Sequence, residues 1–289
     1  MTYCVAARVN AGLVFLSDSR TNAGVDQIGT FRKMNVFERP GERVMVLMTS
    51  GNLAISQAVI NLLAQHDDTS ADSIWNAPNM YEAARLVGVA IRQIHQRDGQ
   101  ALQEQGVDFN VSLIVGGQIG KERSRLFQVY AAGNFIETHR DCTYFQIGEA
   151  KYGKPILDRV LQPETSLDEA AKCALISMDS TLRSNISVGM PLDLLVYDTD
   201  ALRVTHFANI DENNAYFQMI RTTWGERLRQ VFLEIPDPIW SNPSAERTLV
   251  PPDRIHQPVR VMPNGAQEPT DFSVPQVVLS QDGKTPQRH

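Results

Sequence analysis

Cysteine is scarce in this chain. Its three copies, Cys4, Cys142 and Cys173, are too few and too scattered for a disulfide framework, and none belongs to a Cys-x-x-Cys pair. They read as small buried apolar residues. The histidines are equally dispersed, at His66, His95, His139, His206, His256 and His289, with no i, i+4 pair among them. That spacing lacks the zinc signatures, so neither a metal nor another cofactor is expected. Long apolar runs are missing too: the strongest, such as Leu192 to Tyr197, are strand-sized and far short of the roughly 20 residues a membrane helix needs. No basic segment leads into an apolar stretch at the start, as a secretory signal would. No membrane contact is therefore expected, and the cytoplasm is the expected location. A concentrated basic face is also absent, since 27 Lys and Arg stand against 33 Asp and Glu for a formal charge of -6. A nucleic-acid partner would demand the opposite balance.

What is present is an ordinary globular composition, 43% hydrophobic and 21% charged over 289 residues, enough to bury a sizeable core. The expected organisation is one domain over residues 1–235, closed by a helix, and a Pro-rich, polar, mobile tail over 236–289 with too little apolar periodicity for a core. Within that tail, Ser273 to Leu279 is an extended patch suited at most to a partner's sheet edge.

Periodicity sets the element order. Tyr3 to Val9 and Leu13 to Ser19 are apolar-dense, with Asn10-Ala11-Gly12 as a hairpin signal between them. Phe31 to Glu38 and Arg43 to Thr49 form a second pair around Pro40-Gly41. After Ser50-Gly51-Asn52 the period becomes helical through Leu53, Val59, Ile60, Leu62 and Leu63. Beyond the polar run Asp67 to Asp72, Pro78-Asn79 opens a second helix whose stripe is Ala83, Leu86, Val87, Ala90, Ile91 and Ile94. Strands return over Asn110 to Val115, Leu126 to Ala132 and Tyr144 to Ile147, with Gly116-Gly117-Gln118-Ile119-Gly120 read as the turn between the first two. Lys151 to Leu161 and Leu167 to Leu182 are helices, the latter opened by Ser166 and Glu169 at capping-box spacing. Strands at Leu192 to Tyr197 and Arg203 to Ala208 follow, then a helix over Asn214 to Glu234 with Tyr216, Met219, Ile220, Trp224, Leu228 and Val231 on its apolar face. That order is α+β, and it builds two facing sheets with a helix pair outside each, a four-layer αββα sandwich.

The chemistry concentrates at the start. If Met1 is removed, Thr2 carries a nucleophilic hydroxyl and a free amine on one residue, and an α-amine is a workable base near neutral pH. Asp18, in Ser17-Asp18-Ser19-Arg20-Thr21, and Lys33 are the charges placed to fix the amine's protonation state. Three pieces in this order, a first threonine, a strand ending in Asp-Ser-Arg and a lysine just ahead of the next strand, make the chain resemble proteasome-type β subunits. The resemblance is strongest to the bacterial ancestral β-subunit group called Anbu, and it covers most of about the first 200 positions. It implies the N-terminal-nucleophile hydrolase type of αββα sandwich. It also implies that Asp18 orients the lysine and the chain start, that Lys33 is buried, and that Gly51 donates its N–H to the oxyanion; the helix start after Gly51 suits the same purpose. Arg20 positions Asp18 or a nearby loop rather than reacting.

Two departures stand out. Where the family has a serine between glycines, this chain reads Ile147-Gly148-Glu149-Ala150, so that Glu149 replaces the serine. A carboxylate there is placed to pair with Lys33 or with the Thr2 amine and to raise the amine pKa. The family's Asp-x-x-Ser-Gly falls near Asn185-Ile186-Ser187-Val188-Gly189, with Asn185 for the acid and the hydroxyl of Ser187 displaced. The leading expectation is an N-terminal threonine hydrolase cleaving peptides or unfolded proteins inside a self-assembled homo-oligomer, an open spiral or a ring. The alternatives are an amidase acting on a small non-peptide substrate, or an assembled subunit with little turnover.

Overall fold

Strands with apolar side chains on both faces must be covered on both sides, and β1 (Tyr3–Val9) and β2 (Gly12–Asp18) are of that kind. Tyr3, Val5, Ala7 and Val9 of β1 pack with Val14 and Leu16 of β2 in one core, while Cys4, Ala6, Leu13 and Phe15 pack in another. In this computed structural model, residues 2–23, 27–65 and 73–238 are described. Met1, residues 24–26, the polar run 66–72 and everything from 239 on, including most of the expected tail and its patch at Ser273 to Leu279, lie outside the described residues. The chain divides into two compact units, Met1–Gly225 and Glu226–His289.

The first unit has two five-stranded antiparallel sheets. One runs β10 (Tyr144–Gly148), β1, β2, β11 (Leu192–Asp198), β12 (His206–Ile210). The other runs β5 (Met34–Arg39), β6 (Arg43–Gly51), β7 (Val111–Ile119), β8 (Arg125–Val129), β9 (Phe135–Glu137). Between them lie Cys4, Phe15, Val44, Val46, Met48 and Ile114. Helices α1 (Leu53–Gln65) and α2 (Met80–Glu104) cover the second sheet, setting Val59, Leu63, Val87 and Ile91 against Met45, Leu47, Leu113 and Val115. Helices α3 (Lys154–Val160) and α4 (Leu167–Ser184) cover the first, with Leu157, Cys173 and Met178 against Val5, Val14 and Leu16. Three apolar layers between four structural layers give the αββα sandwich. The Ser166–Glu169 capping box opens α4 as expected, and Asn79 caps α2.

The structure differs from the sequence expectations at several points. A hairpin of β3 (Arg20–Ala23) and β4 (Gln27–Thr30) stands where no strand was expected, as does β9. Gly116 and Gly117 lie inside β7 rather than in a turn. The reason is close approach: a Cβ on Gly117, at φ +152°, would sit 1.9 Å from the Val44 carbonyl oxygen, and one on Gly116 would meet Leu126 and Phe15 below 3.0 Å. The turn comes later, at Gly120. The last helix, α5 (Ala215–Glu234), buries Phe217 and Ile220, the second of these on the expected apolar face, and leaves Tyr216, Met219, Leu228 and Val231 of that face exposed. Its start is tied down by Arg221, whose Nε donates to Asp179 Oδ1 at 3.0 Å, beside a second bond to that carboxylate from Arg183. In the second unit the described residues continue α5 from Glu226, with Phe232 and Leu233 exposed.

Two glycine substitutions separate backbone crowding from backbone freedom. Gly117→Ala, forced against Val44, should cost roughly 2 kcal/mol or more. Gly120→Ala, at φ +55° with nothing within 4 Å of its Cβ, should cost about 1 kcal/mol. Urea unfolding of both variants measures the difference, and equal losses would contradict the strand placement of Gly117.

Candidate active site

Thr2 stands at the head of β1, almost buried at 9% exposure. Its carbonyl accepts the Glu149 N–H at 2.6 Å from the end of β10, and the next N–H, from Tyr3, donates to Asp18 Oδ1 at 2.9 Å from the end of β2. The start of the chain is thus pinned between two strands. Gly148 makes this possible: at φ +82°, any Cβ would fall 2.1 Å from the Thr2 carbonyl oxygen.

Asp18 is fully buried and gathers three donors. Besides Tyr3, Lys33 Nζ donates to its Oδ1 at 2.6 Å and the Gly189 N–H to its Oδ2 at 3.2 Å. Burial pushes the Asp18 carboxyl above its ordinary pKa, opposed by the Lys33 charge and by these hydrogen bonds. Lys33 is 4% exposed and also donates to the Arg20 carbonyl at 2.7 Å. Of its three ammonium protons, these bonds engage two. Cys4 shares this interior, and burial pushes its thiol well up, which makes it inert. Ser17 Oγ is buried there without a partner among the described residues, while Ser19 Oγ donates to the Pro191 carbonyl at 2.6 Å.

Gly51 ends β6 at φ +102°, where a Cβ would sit 2.3 Å from the Asn110 carbonyl oxygen. Hydrogen bonds alternate along an antiparallel strand. On β6, Thr49 N–H donates to the Lys33 carbonyl on one side, and just past its end Asn52 N–H donates to the Asn110 carbonyl on the other. The Gly51 N–H therefore points to the Lys33 side, past the end of β5, where no strand among the described residues meets it. Asn52 caps α1 by accepting from Ala54 at 2.9 Å, which places the start of that helix directly after Gly51. A cleft of about 680 Å³ opens here, bordered by Thr2, Arg20, Thr21, Gly51, Asn110 and Ser112.

The other named residues form its frame. Arg20 donates to the Ile186 carbonyl at 2.9 Å and lies across Gly189, where a Cβ would touch its Nε, so it holds the loop that reaches Asp18. Glu149 pairs with neither Lys33 nor Thr2 through its carboxylate. Its Oε1 accepts from the N–H groups of Ala150 and Lys151, and its Oε2 from the Asn185 amide at 3.0 Å. Burial acts to raise its pKa, but the bonds from Lys151, Asn185 and Ala150 outweigh it and hold the carboxyl below its ordinary range. Asn185 Oδ1 in turn accepts from the Ser187 N–H at 3.0 Å, which ties that segment to the same network. Sequence reasoning missed Asn110, Ser112 and the β3–β4 hairpin; only the strand register brings them to the cleft. A second depression of about 570 Å³, which Thr2 does not border, holds Lys154 donating to the Tyr144 hydroxyl and to Asp158 at its rim. Among the described residues no group of three or more His, Cys, Asp or Glu is placed to hold a metal ion, and no helix is long and apolar enough to cross a membrane.

Residues 2–196 match the sequence profile of the family described as proteasome subunit. Proteasome subunit beta 2 of Nitrosopumilus maritimus is 22% identical over 205 residues, covering 70% of this chain and 89% of that protein. Among solved structures, Anbu (ancestral beta-subunit) from Yersinia bercovieri is 51% identical with a TM-score of 0.76, over 81% of this chain and 97% of that one. The helical assembly of the Anbu complex from Pseudomonas aeruginosa is 48% identical with a TM-score of 0.77, over 82% of this chain and 98% of that one.

Removing Lys33 tests the buried pair. Lys33→Ala leaves Asp18 without its cation and should cost about 3 kcal/mol at neutral pH. The sign with pH follows from a carboxyl whose folded pKa is raised. Without Lys33 the folded carboxyl is raised further still, so the two proteins lose stability alike just above the ordinary carboxylate value of about 4. The variant's deficit grows once pH passes the folded value of the native pair, which then ionises while the variant's carboxyl does not. Urea unfolding of both proteins across that range should show the gap widening; a gap that narrows with pH would contradict it.

Proposed function

Because this chain belongs to the proteasome subunit family, within the ancestral β-subunit (Anbu) group, we propose that it is an N-terminal threonine hydrolase that cleaves amide bonds in peptides or unfolded proteins. The observation that carries this reading is Thr2 at the edge of a cleft, backed by the Lys33–Asp18 pair at 2.6 Å and faced by the Gly51 N–H. With Met1 removed, the α-amine takes the Oγ proton as Thr2 Oγ bonds to the substrate carbonyl carbon. The Gly51 N–H, at the entry to α1, stabilises the oxyanion. The C–N bond then breaks as the ammonium returns its proton to the leaving amine. Water attacks the resulting ester, giving its proton to the amine; the C–O bond to Thr2 breaks and Oγ regains a proton. The cation at Lys33 favours the neutral amine on which both halves depend.

Glu149 opposes Lys33 in this scheme. Its carboxyl is held ionised by its three donors, on the residue whose N–H meets the Thr2 carbonyl, and it raises the amine pKa and moves the active range towards alkaline pH. This favours slow turnover at neutral pH over an inert site. Self-association of like subunits in the cytoplasm completes the proposal, and it is supported by the helical assembly of the relative from Pseudomonas aeruginosa.

Intact-mass measurement should find a chain beginning at Thr2, labelled at that residue by an electrophile selective for N-terminal threonine; Thr2→Ala should lose both labelling and hydrolysis. A retained Met1 with hydrolysis intact would overturn the mechanism. Glu149→Gln should move the acid limb of kcat/KM to lower pH, and an unmoved or raised limb would remove Glu149 from the proton balance.

A further inference from the structure

Side chains directed into the space between the two sheets change character along one register. Val44, Val46 and Met48 of β6 and Ile114 of β7 belong to the apolar layer there. The pairing sets Met48 opposite Ile114 and Ser50 opposite Ser112, and the Asn52 N–H bond to the Asn110 carbonyl at 2.8 Å continues the register one step. Towards Thr2, the ladder therefore passes from apolar to hydroxyl to carboxamide, and Ser50, Ser112 and Asn110 all border the cleft. Solvent exposure does not explain it at Ser50, which is 6% exposed.

These groups are available. Ser50 Oγ and Ser112 Oγ reach main-chain carbonyls only at 3.5 Å, the outer limit of a hydrogen bond. The Asn110 amide has no partner among the described residues, whereas Asn52 is committed to its helix cap. Leu53 is the one large apolar side chain bordering the cleft among the described residues, and Arg20 the one charge, its guanidinium turned to Ile186.

Resting on the hydrolase reading above, we propose that the cleft selects substrates whose residue flanking the cleaved amide is small, neutral and hydrogen-bonding, with a hydroxyl or carboxamide side chain held by Ser50, Ser112 and Asn110. An aromatic or branched apolar side chain would strand these polar groups without water. A basic side chain would meet no carboxylate among the described residues of the cleft.

The test uses the full chain with Met1 removed and a peptide mixture in which both residues flanking the bond are varied, with products read by mass spectrometry. Bonds flanked by Ser, Thr, Asn or Gln should be cut at least about tenfold faster than those flanked by Leu, Phe, Asp or Lys. Ser112→Val and Asn110→Leu should each shrink that ratio, while Ser112→Thr preserves it; a change in stability alone would lower all rates and leave the ratio unmoved. A β-lactone that acylates N-terminal threonine without regard to side chain separates the two readings. Labelled Thr2 with equal rates, an apolar or charged preference, or no cleavage of polar-flanked peptides overturns the selectivity and leaves the nucleophile standing. No labelling overturns both.

Discussion

A carboxylate and an ammonium closed off from water together are tolerable only if each finds its partner and the remaining donors and acceptors are met. Asp18 and Lys33 meet that condition by drawing on Tyr3 from β1, Gly189 from the loop before β11, the Arg20 carbonyl from β3, and each other. The consequence is geometric. No one of these segments can shift without leaving a buried charge or N–H unpaired, so the pair fixes the position of Thr2 relative to both sheets. Arg20 adds a second clasp from outside, over Gly189, where any side chain would displace it.

The sandwich serves this arrangement because the first sheet supplies Thr2 and Asp18 while the second supplies Gly51, and Lys33 enters from the segment just ahead of β5. The apolar layer between the sheets holds them at a fixed spacing through Phe15, Met48 and Ile114. Where that layer ends, its last side chains are polar and the sheets part around the cleft. Architecture and site are thus one continuous feature, the rim of the inter-sheet core.

Much of this is legible in the sequence where a local signal coincides with the tertiary need. The dense apolar runs of β1 and β2, the Ser166–Glu169 box and the stripe from Ala83 to Ile94 all report their structure directly. Gly117 misleads because glycine after an apolar run ordinarily signals a turn, whereas here it admits the backbone of β6. The β3 segment, Arg20-Thr21-Asn22-Ala23, carries no apolar alternation to mark it as a strand. On α5, apolar spacing extends well beyond the two residues that are buried, since Phe217 and Ile220 with the Arg221–Asp179 pair suffice to seat its start. Thr2 can be named from sequence by its place after Met1, and Asp18 and Lys33 through the resemblance to proteasome-type β subunits, but Ser112 and Asn110 cannot. A serine on a strand has no meaning until the register says what stands opposite.

The Glu149–Asn185 pair follows the same logic. Relative to the pattern this chain resembles, serine has become an acid and an acid has become an amide, so the local count of carboxylates is unchanged while the charge has moved. The exchange is reciprocal in its hydrogen bonds. Asn185 donates to Glu149 and accepts from Ser187, and an aspartate in its place would offer no donor and set two carboxylates side by side. Glu149 in turn is locked by the N–H groups of Ala150 and Lys151, which a serine hydroxyl, with one oxygen, would not satisfy together with the amide. The two substitutions therefore stand or fall together, and they place a fixed negative charge on the residue that hydrogen-bonds the Thr2 carbonyl. Lys33, bound to the same Asp18 oxygen that accepts from the Tyr3 N–H, is the second charge that the fold fixes beside the start of the chain.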